Sequence, residues 1–69
     1  MIPNNKLILN EESKRKMLIL GLTKDQIKHI LAHGAKVRFM DRTWKSHAHI
    51  KVAYKNFEDI TKVDVVHYD

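Results

Sequence analysis

The spacing of the apolar residues changes at Gly34, and this change restricts the fold more than any other feature of the sequence. Before it, Ile27, Ile30 and Leu31 recur at the three- and four-residue intervals of one helix face. After it, apolar and polar residues alternate, most regularly in "AHIKVAYK" at residues 48–55, and this period is typical of a half-buried strand. The chain therefore predicts helices followed by a sheet, with the helices covering one sheet face.

Two helices are predicted before Gly34. Asn10 precedes two glutamates, and its side chain can accept bonds from the free backbone N–H groups of a helix start. We expect that helix to end at Gly21. The segment "TKDQ" at residues 23–26 has the form of a capping box and begins the second helix. Gly34 is expected to close this helix in the left-handed conformation, and the short link predicts a helix corner or hairpin.

Three strands are predicted after Gly34, with the "DRTWKS" segment as a hairpin loop. The three segments are "KVRFM" (36–40), "AHIKVAYK" (48–55) and "ITKVDVVHY" (60–68). The short run "KLIL" (6–9) is either one more edge strand or the lead into the first helix. We therefore predict a single α+β domain over residues 1–69, in which two N-terminal helices pack on one face of a three- to four-stranded antiparallel sheet.

Strand alternation also assigns the core. Val37 and Phe39 are expected to point toward the helices, with Lys36 and Arg38 pointing away. The residues expected to form the core are Ile30, Leu31, Phe39, Ile50, Val52 and Val63. A chain of 69 residues buries only a small core. We expect an oligomer, such as a homodimer, or a bound partner to supply part of its stability.

The composition excludes several classes of protein. The chain has no cysteine, which excludes a disulfide framework and a thiolate metal site. The start "MIPNNKLIL" lacks the pattern of a signal peptide, and the longest apolar run, "MLIL" at 17–20, is far below membrane-spanning length. We therefore expect a cytoplasmic protein without a membrane partner.

Charge indicates the class of partner. Thirteen lysines and arginines stand against eight acidic residues, which gives a formal net charge of +5. On so small a body this charge attracts polyanions and speeds their association. The expected partners are nucleic acid, RNA rather than DNA, or an acidic protein surface.

The segment "TWKSHAHIK" at residues 43–51 is the candidate binding site. Strand alternation places His47, His49 and Lys51 on the outward face of a central strand. Trp44, at the expected hairpin tip, offers a plane on which a base can stack, although it could equally fold over the edge of the core. The predicted nucleic-acid-binding surface consists of Arg38, Arg42, Trp44, Lys45, His47, His49 and Lys51.

Neither metal binding nor catalysis is expected. His29 and His33 share a helix face, and His47 and His49 share a strand face, so either pair could chelate an ion. A zinc site needs three or four ligands, and nothing in the sequence brings the two pairs together. We therefore predict no metal and no cofactor. The one chemistry that the residues could support is metal-free cleavage of RNA, with roles available for Arg38, His49, Lys51, His67 and Tyr68.

The region from residue 7 to residue 39 and the ending "VDVVHYD" resemble the small toxin domains of the RelE/BrnT-type ribonuclease superfamily. Those domains have a helix with Arg-x-Met, then Arg-Gly-Ile-Thr, then a second helix and a curved antiparallel sheet that binds RNA. Met17, "LGLT" at 20–23 and the second helix ending at Gly34 match this pattern. Glu12 stands where many members have histidine, and Leu20 where they usually have arginine. The resemblance implies a minimal or degenerate member that binds RNA.

Two further classes fit the same sequence. In a small winged helix–turn–helix protein, Lys24, Lys28 and His29 would face the DNA groove, although the helices carry few side chains that read bases. The hairpin with Arg42, Trp44 and Lys45 would then contact the DNA backbone. A small phage or mobile-element protein could instead cover an acidic site on a host enzyme with its basic face.

Overall fold

The computed structural model of the chain describes residues 4–68, which form two helices and five strands. The elements are, in chain order, a short 3-10 helix (Asn4–Lys6), β1 (Leu7–Leu9), α1 (Glu11–Leu20), α2 (Lys24–His33), β2 (Ala35–Phe39), β3 (Arg42–His47), β4 (Ile50–Phe57) and β5 (Ile60–Tyr68). Within these residues, no helix is long and apolar enough to cross a membrane.

Both predicted helix starts are confirmed by their capping bonds. The Asn10 side chain accepts a hydrogen bond of 2.8 Å from the backbone N–H of Ser13. Thr23 and Gln26 form a reciprocal capping box, in which the backbone N–H of each residue donates to the side-chain oxygen of the other. Gly21 ends α1 in the left-handed region, with φ of 71°. These bonds satisfy backbone groups that a helix end leaves free.

Gly34 ends α2 in a different way from the one predicted. Its backbone is extended, with φ of −70° and ψ of 161°, so the expected left-handed cap was wrong. A Cβ atom at this position would lie 2.6 Å from the carbonyl oxygen of Ile30 and 3.1 Å from that of Ser46. Glycine is therefore needed because a Cβ atom would meet both the last turn of α2, at the Ile30 carbonyl, and the backbone of β3 at Ser46.

The sheet has five strands in the order β1-β5-β4-β3-β2. Strands β2 to β5 form consecutive antiparallel hairpins, whereas β1 pairs parallel with β5. The predicted α+β class with two helices is confirmed. The predicted purely antiparallel sheet of three to four strands was wrong, because the chain enters the sheet through β1 at one edge and returns to that edge with β5.

The expected hairpin loop "DRTWKS" is mostly strand β3. Two-residue turns enclose it: Phe39 pairs with Arg42 before β3, and His47 pairs with Ile50 after it. All four turn residues have positive φ, as type I′ turns require; they are Met40, Asp41, Ala48 and His49. None of the four is glycine, so the sequence lacked the usual signal for these turns.

The core lies between the helices and one face of the sheet. Helix α1 packs on β5, and α2 packs on β3 and β4. The buried apolar residues of this core are Leu7, Leu9, Met17, Ile27, Ile30, Leu31, Val52, Val63 and Val66, and Ala53 is buried as well. A bulge inserts Asp64 into β5, and the Asn10 side-chain amide donates a 2.9 Å bond to the Asp64 carbonyl oxygen. This bond ties the start of α1 to the irregular part of β5.

Val37 and Phe39 do not face the helices, which corrects the prediction made from alternation. Val37 pairs with Trp44, and Trp44 pairs with Ala53. Ala53 is the neighbour of the core residue Val52, so all three paired residues point to the opposite sheet face. Phe39 is 63% exposed and does not belong to the core.

Candidate nucleic-acid interface

The two faces of the sheet are assigned by the cross-strand register. Val52 and Val66 are paired and buried beneath the helices, and they define the helix-side face. The pairs on either side, Lys51 with His67 and Ala53 with Val65, therefore point to the other face, which we call the helix-free face. Every predicted site residue in a strand can be placed on one of these two faces.

Three of the seven predicted residues lie on the helix-free face: Arg42, Trp44 and Lys51. The Trp44 indole N–H donates a 3.3 Å hydrogen bond to the carbonyl oxygen of Phe39, which holds the ring toward the end of β2. Trp44 and Lys51 line one shallow depression of about 410 Å³, whose remaining walls are Val37, Phe39, Ser46 and His67. The structure thus brings an aromatic ring and a cation together at this position.

The other four predicted residues lie elsewhere. Lys45 pairs with Val52 and His47 with Ile50, so both are on the helix-side face. Arg38 pairs with Thr43 and points to the same side. His49 is in the turn before β4, with its ring 6.4 Å from that of Tyr68. The prediction that His47, His49 and Lys51 share one face was therefore wrong, because a turn separates His47 from Lys51.

A row of three cations crosses the helix-free face and was missed in part by sequence reasoning. Lys55 and Lys62 are directly opposite each other on β4 and β5. On β3, Arg42 comes directly before Thr43, and on β4, Lys55 comes directly after Tyr54. Because Thr43 and Tyr54 are paired, Arg42 lies beside Lys55. We call Arg42, Lys55 and Lys62 the cation row. Alternation along β4 and β5 indicated in the sequence that Lys55 and Lys62 point to one face. The register is what shows that the three cations occupy adjacent positions on that face.

A second row runs beside the cation row, two residues along β3 and β4 and, because of the bulge at Asp64, three residues along β5. It consists of four paired apolar residues, Val37, Trp44, Ala53 and Val65, and we call it the apolar row. On its other side lie Lys51 and His67, which are paired with each other. The apolar row is therefore flanked by basic side chains on both sides, at a spacing of about 7 Å along the strands.

Acidic side chains are absent from the paired positions of this face within residues 4–68. Asp64, the extra residue of the bulge, has no cross-strand partner and lies in β5 between the two rows. Two ion pairs of the protein, between Lys6 and Asp59 and between Glu11 and Lys14, lie outside the rows. Like charges that face each other across two strands repel, so an anion bound over Lys55 and Lys62 would relieve this repulsion.

The histidines meet in a combination that the sequence did not predict. The His47 ring lies 5.3 Å from that of His29 on α2, and His29 lies 4.7 Å from His33. His47 thus joins the helix pair instead of acting with His49. In the described part of the chain, no three histidine, aspartate or glutamate side chains are placed to hold a metal ion. The rings pack against one another where α2 approaches β3.

The residues considered for RNA cleavage are not assembled at one point. Lys51 and His67 are paired on the helix-free face. Arg38 lies on the helix-side face, on the edge strand β2. His49 and Tyr68 are close to each other, with ring centroids 6.4 Å apart. General acid–base chemistry needs its groups within hydrogen-bonding reach of one phosphate, and these five residues do not meet that requirement together.

No protein-family model, no curated protein and no solved structure matches the chain. The resemblance to RelE/BrnT-type domains therefore stays a hypothesis that rests on the quoted segments. The observations that bear on function are the cation row, the exposed ring of Phe39 and the apolar row, in which Trp44 and Val65 are partly buried and Ala53 is buried.

Proposed function

We propose that the protein binds single-stranded nucleic acid, RNA rather than DNA, across the helix-free face. The observation that carries the proposal is the apolar row, with Trp44 in it, lying between basic side chains. Unpaired bases stack on exposed aromatic rings of a sheet, and their phosphates follow neighbouring cations. In this proposal Trp44 and Phe39 contact bases, while Arg42, Lys55 and Lys62 contact phosphates.

The size of the face suits a short single strand. Five strands at their usual spacing span about 19 Å, which fits roughly four nucleotides. Each stacked base contributes about 1–3 kcal/mol, and each phosphate contact adds a salt-dependent contribution. A duplex offers no exposed base plane to Trp44, so we expect single strands to bind more tightly than duplexes.

Fluorescence anisotropy with labelled single-stranded RNA, duplex RNA and duplex DNA at several salt concentrations tests the proposal. We expect the double variant Lys55→Ala and Lys62→Ala to weaken RNA binding and to lower the salt slope of log K by about 1.4, which is about 0.7 per phosphate. The matched control, Lys14→Ala with Arg15→Ala on α1, also removes two exposed cations and should change binding little.

Two results would contradict the proposal. One is equal loss of RNA binding in the α1 control and in the cation-row variant, since both lose the same charge. The other is that duplex DNA binds more tightly than single-stranded RNA and that Lys24→Ala weakens this DNA binding. That result would favour the winged helix–turn–helix alternative. Products of RNA cleavage on a gel would add an enzymatic role.

A further inference from the structure

Strand β2 is an open edge of the sheet. Within residues 4–68 it is the last strand in the sheet order and pairs only with β3. All five of its residues are exposed, and its pairing with β3 is regular from Ala35 to Phe39 without a bulge. Native proteins usually cover, shorten or distort such an edge, because its free backbone groups can pair with another strand.

The backbone groups that are free for pairing belong to Lys36 and Arg38. In an antiparallel pair, alternate residues exchange both of their backbone hydrogen bonds with the neighbouring strand. A two-residue turn makes its flanking residues, here Phe39 and Arg42, the first such pair. By alternation, Val37 and Ala35 also direct their backbone N–H and C=O groups toward β3. The N–H and C=O groups of Lys36 and Arg38 therefore point away from β3.

The side chains of β2 give this edge a charge pattern. Lys36 and Arg38 point to the helix-side face, where Lys36 is paired with Lys45. Val37 and Phe39 point to the helix-free face and are 48% and 63% exposed. The acidic residue nearest to β2 in the sequence is Asp41, in the turn that follows the strand. A strand added here would meet cations on one of its faces and apolar side chains on the other.

A second copy of the chain fits this edge poorly. If two β2 strands paired antiparallel about Val37, Lys36 of each copy would face Arg38 of the other. Like charges directly opposite each other are destabilising in a sheet, and basic residues on an edge strand are a known protection against self-pairing. The same two cations attract a strand that carries acidic residues at alternate positions.

We propose that β2 binds an extended segment of a partner protein in which acidic and apolar residues alternate, and that this segment adds a sixth strand to the sheet. Main-chain bonds to Lys36 and Arg38 hold the segment, as in other cases of strand addition. Its acidic side chains pair with Lys36 and Arg38, and its apolar side chains pack beside Val37 and Phe39. This inference depends on the edge of the sheet and not on nucleic-acid binding.

The probe is a fluorescein-labelled seven-residue peptide with blocked ends that alternates glutamate and valine, titrated against the full chain. Lys36→Ala removes one charge pair and should weaken binding about two- to fivefold. Lys36→Pro also removes the outward N–H group without removing a bond to β3. It should weaken binding by a further factor of about two to ten. Circular dichroism of both variants checks that the fold is kept.

Two control peptides keep the test valid even if Lys36→Pro fails to fold. A peptide with lysine in place of glutamate should not bind, because it repeats the charge of the edge. A glutamate peptide with N-methyl groups on alternate residues should not bind, because its main-chain donors are blocked. Equal binding of either control, or no binding of the glutamate peptide, would overturn the proposal. A dimer in sedimentation that Lys36→Pro dissociates would also overturn it, since the occupant would then be a second copy.

Discussion

Lys55 and Lys62 face each other on β4 and β5, on the sheet face that points away from the helices. Two cations in this position repel, and Arg42 extends the same row on β3. A protein without a polyanionic ligand would gain stability from an acidic residue at one of these positions. The positive charges of the cation row are therefore expected to lower the stability of the free protein and to strengthen its binding of a polyanion.

The first prediction concerns the opposite effects of the Lys55 charge on stability and on RNA binding. Lys55→Glu turns a repulsive cross-strand pair into an attractive one, and we expect the free energy of unfolding to rise by about 0.2–1 kcal/mol. The same change should weaken the binding of single-stranded RNA, because one phosphate contact is lost and a negative charge is added. Urea denaturation and anisotropy measure the two effects.

The control for Lys55→Glu is Arg15→Glu, which makes the same change of charge at an exposed position of α1. It should leave RNA affinity much closer to that of the original chain. If Lys55→Glu lowers stability, the two lysines do not face each other as described. If it leaves RNA binding unchanged, the cation row does not contact phosphate.

The second prediction concerns Trp44. Trp44→Phe keeps a flat ring and should retain most of the RNA affinity, whereas Trp44→Leu should lose about 1–3 kcal/mol of binding free energy, the contribution of one stacked base. Quenching of the single tryptophan on RNA addition provides an independent reading. Equal affinity of the phenylalanine and leucine variants would show that Trp44 acts through packing alone.

The helices could be predicted from the sequence because their signals are local. Asn10, Thr23 and Gln26 form bonds within four residues, and such caps depend little on the rest of the fold. The parallel pairing of β1 with β5 joins residues more than 50 positions apart. No local pattern encodes such a pair, so "KLIL" indicated a strand without indicating its partner.

The candidate site was predicted less well because alternation was counted through a turn. His47 and Lys51 are an even number of residues apart, which places them on one face only if they share a strand. Ala48 and His49 instead form a two-residue turn, so His47 pairs with Ile50 and Lys51 points the other way. Histidine and aspartate tolerate positive φ better than most residues, and this tolerance was the available clue at His49 and Asp41.

The third prediction separates core from surface. Ile27 is fully buried between α2 and the sheet, whereas Phe39 is 63% exposed. Ile27→Ala should cost about 2–5 kcal/mol, enough to unfold much of a small domain. Phe39→Ala should cost far less, although sequence alternation had placed it in the core. Thermal melting followed by circular dichroism measures both, and a large loss for Phe39→Ala would mean that another surface covers it.

The last prediction concerns Gly34. Its φ of −70° suits alanine, and at such positions Gly→Ala commonly stabilises a protein by about 0.4–1 kcal/mol, because it restricts the unfolded chain. Here the added Cβ would lie 2.6 Å from the Ile30 carbonyl oxygen. We therefore expect the opposite sign, a loss of about 1–3 kcal/mol, since the backbone at Gly34 must shift away from that carbonyl in the last turn of α2 and from Ser46 on β3.

Gly21 provides the comparison for Gly34, because it has positive φ and, in the described part of the chain, no neighbouring atom lies within 4 Å of an added Cβ. Gly21→Asn should be tolerated better than Gly21→Ala, since asparagine adopts the left-handed conformation more readily. At Gly34 the two substitutions should both destabilise, because the obstacle there is space and not φ. If Gly34→Ala raises the melting temperature, Gly34 does not lie this close to the Ile30 carbonyl oxygen and to Ser46.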